Sequence, residues 1–140
     1  MYQFVIPIHH VNWSTRSVLE GISQKYKPKQ IYVVTSDHEI KIFKDKSNSW
    51  DIENLTLLDE DNFFLNKYGL TKKDIVSQIT QNKPNYSPGW LYQQIIKLGA
   101  SDVIDELEDV FLIWDADLLP VKSWPIPVSY THLRAHETLN

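Results

Sequence analysis

Residues 4–35 read FVIPIHHVNWSTRSVLEGISQKYKPKQIYVVT, and the order of patterns within them decides the fold. Phe4 to Ile8 is an apolar run broken only by Pro7; it is too short for a helix and reads as a buried strand, with His9 and His10 at its C-terminal end. From Ser14 the period becomes helical. Val18, Leu19, Ile22 and Tyr26 share one face, Ser17-Val-Leu-Glu20 offers a capping box, and Lys27-Pro28 stops the run. Ile31-Tyr-Val-Val-Thr35 is β-branched and apolar on both faces, as a central parallel strand requires. Strand, helix and strand in this span make a βαβ unit, so the fold class is α/β, a mostly parallel sheet flanked by helices.

Downstream, Ile40–Phe43 reads as a short edge strand followed by a polar loop, Lys44 to Ser49. Asn54 to Leu58 reads as another strand, with Asp59-Glu60-Asp61 at its end. Thr71-Lys-Lys-Asp74 is a capping box that opens a helix with Ile75, Val76 and Ile79 on its apolar face. After a loop from Gln81, Pro88 starts a helix that runs to Leu98 and ends at Gly99. A short helix over Ser101–Glu108 then leads into Val110-Phe-Leu-Ile-Trp114, a fully buried strand that ends in Asp115-Ala-Asp117. No repeat, low-complexity tract or interdomain linker interrupts this order.

Composition narrows the function classes. Lys and Arg number 14 against 18 Asp and Glu, a net charge of −4 that argues against a nucleic-acid binder. With 42% hydrophobic and 23% charged residues the chain has the makings of one folded core. The absence of cysteine excludes disulfide scaffolds and Cys-ligated zinc or iron–sulfur sites and fits a reducing compartment. No apolar run approaches the roughly 18 residues that span a bilayer, and the N-terminus lacks the pattern of a signal peptide. These features lead to the expectation of a soluble, cytoplasmic protein with no membrane segment.

Val128 to Thr138, VSYTHLRAHET, matches the in-frame translation of a transposase sequencing adapter. Residues 128–140 are therefore expected to be a non-native tail, and residues 1–127 the N-terminal part of a longer protein. Setting the tail aside removes Arg134 and Glu137 and leaves the charge balance unchanged. It also withdraws His132 and His136, whose i, i+4 spacing imitates a metal site.

In an open parallel α/β sheet, ligands bind beyond the carboxyl ends of the strands. The residues there are His9-His10, Thr35-Ser36-Asp37, Asp59-Glu60-Asp61 and Asp115-Ala-Asp117. Two carboxylates emerging from a buried strand are costly to desolvate without compensation, and a hard divalent cation would supply it. By itself, the triplet fits a solvated acidic turn better. The helix after Pro88 carries a second feature: Leu91, Ile95 and Leu98 form an apolar face, while Trp90, Gln94 and Lys97 form a polar one with Gln93 beside it. Two glutamines, a lysine and a tryptophan can hydrogen-bond hydroxyls or a phosphate; by periodicity alone a solvated face is the simpler reading.

Taken together, the βαβ start, Asp37 after the second strand, Gly89-Trp90-x-x-Gln93-Gln94-x-x-Lys97 and Trp114-Asp-Ala-Asp-Leu-Leu-Pro120 resemble a family of bacterial glycosyltransferases with a Rossmann-like GT-A-type nucleotide-sugar fold. The similarity runs over roughly residues 2 to 124; its helix motif is fairly specific and its DxD motif is not. The resemblance implies that residues 1–127 are the nucleotide-sugar-binding part of a glycosyltransferase-like domain, truncated after the DxD strand, that transfers a sugar to an unknown glycan or other acceptor. It implies Mn²⁺ or Mg²⁺ on Asp115 and Asp117, with Asp117 the more direct ligand and Asp115 meeting the metal or the donor ribose. Pro7, Ile8, His9 and Asp37 would form the base pocket, with Gln93, Gln94 and Lys97 near the sugar or diphosphate. No role is assigned to Asp59 and Glu60. The catalytic base falls in the part absent from this chain, so the fragment by itself is expected to be inactive.

Two other readings stay open. A haloacid-dehalogenase-like phosphatase also places Asp-x-Asp after a buried strand, although Leu118-Leu119-Pro120 fits that motif badly. A non-catalytic α/β domain that binds a nucleotide or a protein partner needs no role for the aspartates at all.

Overall fold

The computed structural model describes residues 2–120. The tail assigned to residues 128–140, and the end of the domain assigned to 1–127, lie outside them. Four strands, β1 (Gln3–Pro7), β2 (Gln30–Thr35), β3 (Leu55–Asp59) and β4 (Leu112–Ile113), form one sheet in the order β3-β2-β1-β4. All three pairings are parallel, so the α/β, Rossmann-like class expected from the sequence is the one observed. Around the sheet lie α1 (Thr15–Tyr26), α2 (Asp37–Lys46), α3 (Leu65–Tyr68), α4 (Lys72–Asn82) and α5 (Pro88–Val103).

Strand alternation divides the core in two. Phe4, Ile6 and Ile8 of the first strand segment, with Ile31 and Val33, pack against Val18, Leu19 and Ile22 of α1 and Phe43 of α2. Val5, Tyr32 and Val34 point the other way, onto Tyr92, Ile96 and Ala100 of α5 and onto Phe63 and Phe64. A sheet covered on both faces needs strands without a polar side, which is why β1 and β2 read as unbroken apolar runs. Among the described residues no helix is long and apolar enough to cross a membrane.

The chain steps outward from β1 to β2 to β3, then returns to the far side of β1 with β4. That reversal opens a crevice between β1 and β4 at their carboxyl ends. Pro7 helps to open it. Val5 O accepts from Trp114 N at 3.0 Å on the β4 side, whereas Ile8 N donates to Val34 O at 2.9 Å on the β2 side. Alternation puts the Pro7 nitrogen on the β4 side, where it has no hydrogen to donate, and β4 ends at Ile113.

Several expectations are corrected. Ile40–Phe43 is helical: the alternating Ile-Lys-Ile-Phe lies inside α2, where the Ser36 side chain accepts from Glu39 N, acidic Asp37 and Glu39 fill the first turn and Lys44 and Lys46 the last. Ser17 does not cap α1, which begins two residues earlier; Glu20 instead accepts from Arg16 Nε at 2.7 Å and from Asp51 N at 2.8 Å. The capping box of Thr71 and Asp74 is formed as expected.

The helix after Pro88 does not end at Gly99 but runs to Val103, and no separate helix covers Ser101–Glu108. Gly99 is there for contact, since a Cβ at this position would lie 2.7 Å from Phe64 Cε1. The face of α5 that is buried is Tyr92, Ile96 and Ala100, turned by one to two positions from the expected Leu91, Ile95 and Leu98; Leu98 is 77% exposed. The strand read over Val110–Trp114 pairs only at Leu112 and Ile113, and Ile113 is exposed. Within the described residues it is the sheet edge, so one flank meets solvent.

Candidate functional site

Three segments meet at the crevice and enclose a cleft of about 460 Å³. Pro7, Ile8, His9 and His10 supply its floor from the end of β1, with Asn12 and Thr15 from the turn into α1. Trp90, Gln93, Gln94 and Lys97 come from α5 at i, i+3, i+4 and i+7 spacing, so one helix face looks into the cleft. Asp115, Ala116 and Asp117 close it after β4.

Each segment is held by its own hydrogen bonds. Asn12 Oδ1 accepts from Ser14 N at 3.0 Å and from Ser14 Oγ at 2.7 Å, while Asn12 N donates to Thr15 Oγ1 at 2.9 Å, which fixes the β1–α1 turn. Ser87 caps α5, and Pro88 occupies its first turn. The acidic turn is pinned by Trp114, whose indole Nε1 donates to Leu118 O at 2.7 Å and whose ring packs on Phe4 and Tyr26. Leu118 N closes the turn onto Asp115 O at 3.1 Å.

The acidic turn is solvated, as the triplet taken by itself suggests. The Asp115 side chain is 54% exposed and Asp117 is exposed too, because β4 leads out from the sheet edge. Neither carboxylate is buried, so desolvation does not force a cation onto them. Lys97 Nζ instead lies 2.9 Å from Asp115 Oδ1 and partly balances its charge. Among the described residues no group of three or more His, Asp or Glu converges to hold a metal by protein ligands alone. Two accessible carboxylates in a tight turn suit a hard cation that keeps waters and completes its shell with ligand phosphates.

Every sequence-assigned site residue except Asp37 lines this cleft: Pro7, Ile8, His9, Gln93, Gln94, Lys97, Asp115 and Asp117. Asp37 does not. It opens α2 beyond β2, on the side of β1 away from β4, and pairs with Lys41 at 3.3 Å along its own helix. Asp59 and Glu60 are also elsewhere: Asp59 accepts from Asp61 N and Asn62 Nδ2, and buried Glu60 pairs with Lys72 at 3.0 Å.

Glu39 is the residue that sequence reasoning missed. Only 6% exposed, it reaches from the first turn of α2 to the β1–α1 loop, where Oε1 lies 3.0 Å from His10 Nδ1 and Oε2 accepts from Val11 N at 3.2 Å. The His10 hydrogen bond, followed by that amide, holds the Glu39 carboxyl below its ordinary value against the opposing effect of burial. Ser36-Asp-His-Glu39 is itself a capping-box pattern, and it was the available signal for both the helix and this residue.

No curated protein and no solved structure matches the chain. The profile of one family, described as a family of unknown function (DUF6492), matches residues 16–130, from the first turn of α1 through the acidic turn, and the chain belongs to that family.

Proposed function

We propose that the cleft binds a nucleotide-sugar, with the diphosphate held through Mn²⁺ or Mg²⁺ on Asp115 and Asp117, and that the chain is the donor-binding part of a glycosyltransferase acting on a glycan or other acceptor. One observation carries this reading. Residues from three distant segments that the resemblance assigns to a donor all line a single cleft at the reversal point of a parallel sheet. The glutamines and Trp90 suit the hydroxyls and rings of a sugar or nucleoside, and Lys97 suits a phosphate oxygen. A bound cation would supply charge stabilisation to a departing diphosphate. The cysteine-free composition accords with a cytoplasmic location.

The test is calorimetric titration with a panel of nucleotide-sugars, with and without Mn²⁺, on the wild-type chain and on Asp115→Asn/Asp117→Asn. Metal-dependent binding that the double variant loses is the expected result. A folded protein that binds no donor with the metal present sinks the assignment, and the acidic turn is then a solvated feature of a non-catalytic domain.

A further inference from the structure

His10 is built into the cleft in a way that surface histidines are not. Its side chain is 68% exposed, yet its Nδ1 is tied to a carboxylate that is almost wholly buried and that belongs to another helix. An ionised carboxylate only accepts hydrogen bonds, so the Nδ1 position carries the proton. Nε2 is then the ring nitrogen left to meet a ligand. Glu39 is fixed in turn by the Val11 amide and by the Ser36 cap on its own backbone N–H, so the pair is positioned before any ligand arrives. The backing of an imidazole by a buried carboxylate is the arrangement that orients a histidine for a ligand.

We propose that His10, oriented by Glu39, is a proton-dependent contact for a phosphoryl oxygen in the cleft. In the imidazolium form the ring donates Nδ1–H to Glu39 and Nε2–H to the phosphate, a charge-assisted bond, with the extra proton taken from solvent. The neutral ring has a lone pair at Nε2 and repels the same oxygen. His10 then serves from the β1–α1 turn what Lys97 and a cation on the aspartates serve from α5 and the acidic turn. Glu39 is a positioning residue, acting only through the ring. The charged and titratable groups around His10 are His9, whose ring centroid lies 4.0 Å away, Glu39 and its neighbour His38 on α2, Lys97 on α5, and Asp115 and Asp117 after β4. This inference rests on the reading of the cleft as a diphosphate site and names a further contact and its pH dependence.

Inorganic pyrophosphate, first without metal and then with Mg²⁺, is the probe. Its affinity is measured by calorimetry from pH 6 to pH 8 for the wild-type chain and for His10→Gln, while the histidine ring signals are followed by NMR. Because pyrophosphate's own titration is common to both proteins, the difference between them isolates His10. The expected result is that pyrophosphate shifts the His10 ring signals, that His10→Gln weakens binding about tenfold at pH 6 and much less at pH 8, and that Glu39→Gln weakens it several-fold while His10 loses its fixed Nδ1 proton. Equal affinities of wild type and His10→Gln across the range, or unmoved His10 signals at saturation, overturn the proposal even if Glu39→Gln fails to fold. Binding that Mg²⁺ tightens without touching His10 leaves the donor-site reading standing and removes this one. Binding that moves His10 but ignores Mg²⁺ does the reverse, and no binding under any condition removes both.

Discussion

Lys97 Nζ sits 2.9 Å from Asp115 Oδ1 and ties the middle of α5 to the acidic turn across the mouth of the cleft. The aspartate is half exposed, so the pair contributes little to folding, about 1 kcal/mol or less. Under the proposed reading of the cleft both partners have a second use, the ammonium toward a phosphate and the carboxylate toward a cation. Lys97→Gln is therefore expected to shift the two ligands in opposite directions. Mn²⁺ alone binds more tightly because Asp115 is released, while a nucleoside diphosphate binds about tenfold more weakly. Titrations of each ligand with both proteins check this; parallel changes in the two affinities would show that Lys97 and Asp115 do not share the site.

Gly99→Ala sets two effects against each other. Within a helix the exchange ordinarily stabilises by about 1 kcal/mol. Here the new methyl would sit 2.7 Å from Phe64 Cε1, in a buried ring cluster that also contains Phe63 and Tyr92. Overpacking of that kind costs about 1–3 kcal/mol. The clash is with an aromatic ring wedged among others and not with a flexible chain end, so a net loss of stability is expected in urea denaturation. Phe64→Leu in the same chain should recover part of it, and a more stable Gly99→Ala protein would contradict the packing account.

The same glycine shows where the sequence could and could not be read. β1, β2 and β3 were legible because they are short apolar runs bounded by polar residues. The carboxyl end of β1, with that of β4, then located the cleft, while the ends of β2 and β3 lie outside it. Gly99 resembled a helix terminator because its real constraint, the Phe64 ring, comes from a segment more than thirty residues away. The alternation of Ile40-Lys-Ile-Phe43 imitated a strand, and the decisive cap lay outside it at Ser36. Asp37 was misplaced for a related reason: once α2 begins at that residue, its side chain belongs to an i, i+4 pair and not to the crevice. Glu39 could not be linked to His10 by any local pattern, since 29 residues separate them and only the packing of α2 against the β1–α1 loop joins them.

Tyr92 offers a test of how α5 is anchored. Its hydroxyl donates to the backbone carbonyl of buried Glu60 at 2.5 Å, and Lys72 Nζ lies 5.5 Å from the centre of its ring. Burial, followed by the charges of Glu60, Asp61 and Asp59, pushes the phenol well above its ordinary 10.0. Tyr92→Phe keeps the ring and leaves that carbonyl without its donor, at a cost of about 1–3 kcal/mol. Equilibrium unfolding measures the cost. In a spectrophotometric titration, Tyr92 should ionise only when the fold is lost, and a stability equal to wild type would mean that the carbonyl finds another partner.

Acid stability should carry the signature of Glu39. Its carboxyl is held below its ordinary 4.5, first by the His10 hydrogen bond and then by the Val11 amide, with burial opposing both. A carboxyl whose folded value is depressed contributes stability above its unfolded value, and that contribution is lost as the pH falls through the folded one. Wild type should therefore exceed Glu39→Gln in stability at about pH 5 and above, and the margin should close as the pH falls further. The neutral amide can still accept from Val11, so the variant loses the charge and keeps a hydrogen-bonding group of similar shape. Urea midpoints for both proteins between pH 3 and pH 8 decide the matter. His10→Gln should reproduce part of the neutral-pH loss, because the leading cause of the depressed value goes with the ring, whereas a gap between wild type and Glu39→Gln that stays unchanged at pH 3 would show that the charge on Glu39 does not stabilise the fold.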